Sequence, residues 1–137
     1  MNAYVLDAGV AVAWYRDEAF SPSARRWQER LLAGKVTLLV PSLHYWEFAN
    51  VLRTLVVRRE LTEDLAAEIY DLHMEAPLDP AEPDARDVLR LAMAMGATAY
   101  DAVYIALSES RNVPLITAER TTTGWVTRMA DRIEAVR

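Results

Sequence analysis

The sequence predicts an α/β fold: a five-stranded, mainly parallel sheet with helices on both faces. Three observations carry that expectation. Short apolar runs alternate with longer stretches of helical period along the whole chain, which is the rhythm of strand–helix–strand units. No internal repeat or low-complexity linker interrupts it, and 137 residues is one domain's length, so residues 1–137 read as a single domain. The hydrophobic fraction of 53% is large enough to line a sheet on both sides.

Each element has a local reason. Residues 4–6 are a first apolar strand, and 8–15 turn at once into a helical pattern. Ser21 followed by Pro22 reads as an N-cap with proline at the first helical position, opening a helix to about residue 32 that Gly34 ends. Residues 37–40 form a short buried strand. Pro41 and Ser42 start a helix over 43–59, and Thr62 caps another that runs to about residue 73. Residues 76–78 make a brief third strand. Pro80 and Pro83 precede a helix through Met95, stopped by Gly96. Thr98 opens an apolar helix to Ser110, and residues 113–117 and 133–136 supply the last two strands.

Composition removes several chemistries. Without cysteine there is no disulfide, thiolate metal site or cysteine nucleophile. His44 and His73 are too few and too scattered for a histidine-built zinc site. The longest run free of Asp, Glu, Lys and Arg is residues 36–46, far short of the roughly 20 that a membrane span needs. With no basic leader ahead of Asp7 either, the expectation is a soluble cytoplasmic protein with no membrane attachment. All four glycines are isolated, so the G-x-G-x-x-G turn of dinucleotide binding and the G-x-S-x-G elbow of serine hydrolases are both missing. A receiver-like phosphoacceptor needs a lysine late in the chain, and the only lysine is Lys35.

The net charge of −5 argues at first against a nucleic-acid partner. Its distribution does not. Residues 60–87 hold ten of the twenty acids and one base, so the acidity is local. Fourteen of the fifteen bases are arginine, whose planar fork suits phosphate.

Three acids stand alone in apolar surroundings. Asp7 is the only charge in residues 1–15, Glu47 the only one in 36–52, and Asp101 the only one in 91–108. Burying an unpaired carboxylate shifts its pKa, or calls for a cation or a metal. Taken singly, Asp7 and Asp101 also read as helix caps, and Glu119 as an anion near a helix start. Glu47 does not, because it lies beyond the first turn of its helix, on a face shared with Asn50 and Thr54. Jointly the acids fall where open parallel sheets gather function, outside the carboxyl ends of strands. Four carboxylates in one cup form a hard oxygen donor set suited to one or two divalent ions. Such ions activate water against phosphodiesters.

The ordered segments VLDAGVAVAW, PSLHYWEFANVL, TAYDAVYIAL and PLITAER resemble PIN-domain proteins, specifically VapC-type toxins of toxin–antitoxin pairs. The resemblance covers essentially the whole chain, with TAYDAVYIAL its most specific motif. It implies a PIN-like three-layer sandwich and a ribonuclease that uses Mg2+ or Mn2+ to cut structured RNA and stop translation. It further implies a homodimer and a small cognate VapB-type antitoxin as partner. Asp7, Glu47 and Asp101 align with the family's three metal-binding acids. Asn50 matches a polar position one turn after the glutamate, and Thr117 a hydroxyl just before the fourth acid. That fourth acid is Glu119 where the family usually has aspartate. The extra methylene weakens the case for a second metal and keeps open an alternative, a PIN-like RNA- or protein-binding module with weak or no nuclease activity.

Among basic residues, Arg16 and Arg53 are candidates for RNA contact, with Arg25, Arg26, Arg58 and Arg59 nearby in sequence. Trp14, Trp27, Trp46 and Trp125 suit base stacking or partner anchoring, although core packing is tryptophan's commoner fate. His44 reads as a packed or surface residue, and Met93 and Met95 as core or interface fillers.

Overall fold

In the computed structural model, which describes residues 2–137, the strands are β1 (Asn2–Leu6), β2 (Val36–Val40), β3 (Asp79–Pro80), β4 (Leu115–Thr117) and β5 (Ile133–Ala135). They pair in the order β3-β2-β1-β4-β5, every pair parallel. Val5 stands opposite Leu39 and Leu115, and Leu6 opposite Ile116. Because successive side chains point to opposite faces, Leu6, Leu38, Val40 and Ile116 line one face of the sheet, while Val5, Leu39 and Leu115 line the other. All seven are buried. Near-continuous apolar strands are what two covered faces require.

The helices supply those covers. α1 (Ala8–Val12), α2 (Ser21–Leu32), α3 (Ser42–Val57) and α4 (Glu63–Met74) close the first face with Val10, Leu31, Phe48 and Ile69. α5 (Ala85–Met95), α6 (Ala99–Arg111) and α7 (Gly124–Met129) close the second with Leu91, Ile105, Leu107, Trp125 and Met129. Each fully buried side chain of this size contributes roughly 1.5–3 kcal/mol of burial energy. Among the described residues, no single helix is long and apolar enough to cross a membrane.

From β1 the chain runs outward to β2 and β3, then returns to β4 on β1's other side. The carboxyl ends of β1 and β4 therefore flank a topological switch point, where open α/β sheets leave a crevice.

Four local expectations are corrected. The third strand lies at Asp79–Pro80, not at 76–78, and pairs with Leu39 and Val40. Pro80 has no N–H to give, which an edge strand tolerates. The helix expected over 8–15 ends at Val12 and passes into turns. Ser21 does not cap α2, since Phe20 holds the cap position. The Ser21 hydroxyl instead accepts from the Glu18 amide at 2.7 Å and donates to the Arg16 carbonyl at 3.0 Å, closing the preceding loop. Finally, the helix start expected near Glu119 falls later, where Thr123 holds the cap position of α7.

Candidate active site

Asp7 ends β1 and caps α1. Its Oδ1 accepts from the Gly9 amide at 3.3 Å, and its Oδ2 accepts from the Thr117 hydroxyl at 3.0 Å. The Asp7 amide donates to the Ile116 carbonyl at 3.1 Å, so the backbone here is still tied to β4. Thr117, fully buried, also accepts from the Glu119 amide at 3.1 Å. One hydroxyl thus fixes both the first acid and the backbone of the last.

Glu47 lies in the second turn of α3, half-buried, with Oε1 accepting from the Tyr104 hydroxyl at 2.6 Å. Asp101 stands in the first turn of α6, where its amide donates to the capping Thr98 hydroxyl at 3.1 Å. The capping geometry read from the sequence at Asp7, Thr62 and Thr98 is present at all three. At Asp7 and Asp101 it positions a carboxylate as well as a helix.

The electrostatics tie the three acids together. Desolvation lifts Asp7 from 3.8 to about 6, opposed by the Thr117 and Gly9 hydrogen bonds and reinforced by repulsion from Glu47 and Asp101. Burial likewise raises Glu47, against its Tyr104 hydrogen bond and with added repulsion from Asp101. Asp101 is raised by burial against the Thr98 hydroxyl. Among the described residues, no lysine, arginine or histidine forms an ion pair with any of the three.

This donor set is chemically right for a hard divalent cation. Among the described residues no three acids or histidines are drawn close enough to cage an ion as they stand. Like charges 4 Å apart repel by about 4 kcal/mol at an effective dielectric near 20, so spreading is the arrangement that repulsion favours. The fit is one of ligand chemistry and of electrostatic coupling among the three acids, not of a preformed cage.

The remaining candidates separate. Glu119 is exposed, as is Asn50. Asn50 and Glu47 line a cleft of about 350 Å³ together with Leu43, Trp46, Val51 and Tyr100. Trp46 and Tyr100 are 66% and 65% exposed there, while Trp14, Trp27 and Trp125 are buried core residues. Arg16 is engaged by Glu60 at 3.1 Å and Glu18 at 3.4 Å, which ties the loop after α1 to the end of α3. Arg53 is exposed and lines a separate cleft between α3 and α4. Arg25 pairs with Asp17, while Arg26, Arg58 and Arg59 are exposed. Met93 is exposed and Met95 packs against the second core.

Two features escape sequence reasoning. Tyr104, given no role in the apolar helix that Thr98 opens, touches Glu47, and its spacing of three residues from Asp101 was the available signal. His44 and His73 share a buried hydrogen bond, Nε2 to Nε2 at 2.8 Å, with the Tyr15 hydroxyl on His73 Nδ1 at 2.9 Å. No pattern in the sequence joins residues that far apart.

Comparison with known proteins follows the same lines. The PIN domain family model matches residues 4–121. Ribonuclease VapC3 of Pyrobaculum aerophilum is 28% identical over 120 residues, covering 85% of this chain and 88% of that protein. The crystal structure of PAE2754 from Pyrobaculum aerophilum is similar with a TM-score of 0.69 at 22% identity, over 98% of this chain and 91% of that one. VapBC2 from Rickettsia felis, solved bound to a DNA fragment from their promoter, gives 0.69 at 13% identity over 98% and 99%. FitAcB from Neisseria gonorrhoeae gives 0.65 at 16% identity over 95% of each chain. These three structures share the three-layer fold expected from the sequence.

Proposed function

The chain belongs to the PIN domain family, and on that premise we propose that it is a metal-dependent endoribonuclease, the toxin of a VapBC-type pair that hydrolyses RNA and so inhibits translation. One observation carries the reading: the charges of Glu47 and Asp101 both raise the proton affinity of Asp7, and that of Asp101 raises Glu47's, while among the described residues no basic side chain is paired to any of the three. Kinship with a VapC ribonuclease supports the activity. Kinship with VapBC2 supports a small VapB-type antitoxin as partner. A homodimer in the cytoplasm completes the proposal.

Asp7, Glu47 and Asp101 would hold Mg2+ or Mn2+, with Glu119 reaching in from its exposed position as an outer ligand. When bound, such an ion acidifies a water and neutralises charge building on the phosphodiester. The protein's own groups do the positioning. Thr117 holds Asp7 Oδ2 and, through the Glu119 amide, the backbone of the outer acid. Thr98 fixes the helical turn that carries Asp101. Asn50, beside Glu47 in the cleft, offers an amide to the substrate. Of the two arginines proposed for RNA contact, Arg53 is the accessible one, since Arg16 is committed to Glu60 and Glu18.

The test is Asp101→Asn, a substitution close in size at a half-buried position. It should abolish RNA cleavage and growth arrest while leaving the unfolding midpoint unchanged or somewhat raised, because burial disfavours the charged Asp101. A folded variant that still cleaves removes the site assignment. Wild-type protein that takes up no manganese near neutral pH, by calorimetric titration, would favour the non-catalytic binding module that Glu119 keeps open.

A further inference from the structure

Glu47 is not a free ligand. The Tyr104 hydroxyl that donates to its Oε1 at 2.6 Å belongs to a residue only 3% exposed. Tyr104 follows Asp101 by three residues on α6, so both lie on one helix face. The charges of Glu47 and Asp7 both act on the phenol, and so does the Ala8 backbone amide, one residue beyond Asp7. A single buried oxygen therefore sits where the elements carrying all three acids meet. A tyrosine hydroxyl carries its proton through the ordinary working range, so in this pair the phenol donates and the carboxylate accepts.

A buried tyrosine needs some acceptor, but a neutral carbonyl would serve. A carboxylate already strained by desolvation and by Asp101 is a specific choice, and it has a specific result. With Oε1 accepting from the phenol, Oε2 is the freer oxygen, and two-oxygen chelation by Glu47 competes with that hydrogen bond. Calcium accepts carboxylates in one- or two-oxygen mode within a loose shell of six to eight ligands, whereas magnesium demands a near-ideal octahedron of single oxygens. Outer partners that orient a ligand in this way are typically worth 10–100-fold in metal affinity.

We infer that Tyr104 is a positioning residue that engages Glu47 Oε1 and leaves Oε2 the favoured ligand atom, tuning the site toward magnesium and manganese and against calcium. The inference rests on the nuclease reading above, and its test separates the two. Manganese and calcium are titrated calorimetrically into wild type, Tyr104→Phe, Glu47→Gln and the double variant, with thermal unfolding of each. Tyr104→Phe should unfold cooperatively and bind manganese about tenfold more weakly, with calcium affinity changed much less, so the preference narrows. In the Glu47→Gln background the same substitution should leave the preference unchanged. If Tyr104→Phe does not fold, Glu47→Asp, which draws the carboxylate back from the intact phenol, should narrow the preference in the same way.

An unchanged manganese-to-calcium ratio in folded Tyr104→Phe or, failing that, in Glu47→Asp overturns the positioning role alone. Equal narrowing without Glu47 overturns it too. Wild-type protein that binds neither ion overturns this inference and the nuclease reading together.

Discussion

Asp7→Asn removes one charge from the end of β1 and almost nothing of the side chain's shape. Asparagine is as good a helix cap as aspartate. In the folded protein the Asp7 carboxyl titrates near 6, against 3.8 for an ordinary one. Below pH 3.8 folded and unfolded chains both carry the proton, and the site costs nothing. As the pH rises the unfolded chain releases it first, so stability drains away and the loss is complete above about 6. That difference in proton affinity is worth about 3 kcal/mol, since a tenfold change in an equilibrium corresponds to about 1.4 kcal/mol. Asparagine escapes the penalty but accepts at only one of the two positions where Asp7 does, giving back about 1 kcal/mol. The variant should therefore be about 2 kcal/mol more stable than wild type in urea unfolding at pH 7.5 with EDTA, and inert as a nuclease. At pH 5 the advantage should shrink below about 1 kcal/mol. With saturating manganese the order should reverse, because only wild type gains the binding energy. A variant less stable than wild type at pH 7.5 in EDTA, or an advantage indifferent to pH, would refute the reasoning.

Two further outcomes are expected. Burial drives His44 from 6.5 to about 3 and His73 to about 4, so the pair is neutral in the fold and takes up protons only on unfolding. Their contribution is complete above pH 6.5 and is lost on acidification toward those folded values, by about 1.4 kcal/mol per pH unit for each histidine. Measured in the Asp7→Asn background, where Asp7's opposing titration is gone, urea stability should fall by about 1–3 kcal/mol between pH 7.5 and 5.5; a flat profile contradicts a neutral buried pair. Gly96 ends α5 at φ +64°, and an added Cβ would lie 3.1 Å from Arg128 Nη1. Gly96→Ala should lower stability by about 1–2 kcal/mol without touching ion affinity, and a raised melting temperature would count against it.

Much of this architecture could be read from residue order. The strands that became β1, β2 and β4 announce themselves because both faces are covered, which makes their apolar runs nearly continuous. β3 does not, because an exposed Asp79–Pro80 edge has no apolar signature, and the apolar residues just before it draw the eye instead. α7 is short and follows three threonines, so its Trp125, Val126 and Met129 contacts carry too little periodicity. Asp7, Glu47 and Asp101 were legible as solitary charges, because a carboxylate amid apolar residues needs a reason wherever it folds. Tyr104 was hidden by the same logic reversed, since an aromatic ring on an apolar helix needs none. The engagement of Arg16 with Glu60, 44 residues on, belongs to tertiary structure alone.

The hydrogen bond from Thr117 to Asp7 joins residues 110 positions apart, and β1 at the sheet's centre has β4 as one of its two neighbours. During synthesis Thr117 emerges 110 residues after Asp7. A nascent copy thus carries most of its acids early but has no means of assembling them. For the ribonuclease proposed above, this order is protective: the site stays unassembled until nearly the whole of the matched PIN domain, residues 4–121, has been made.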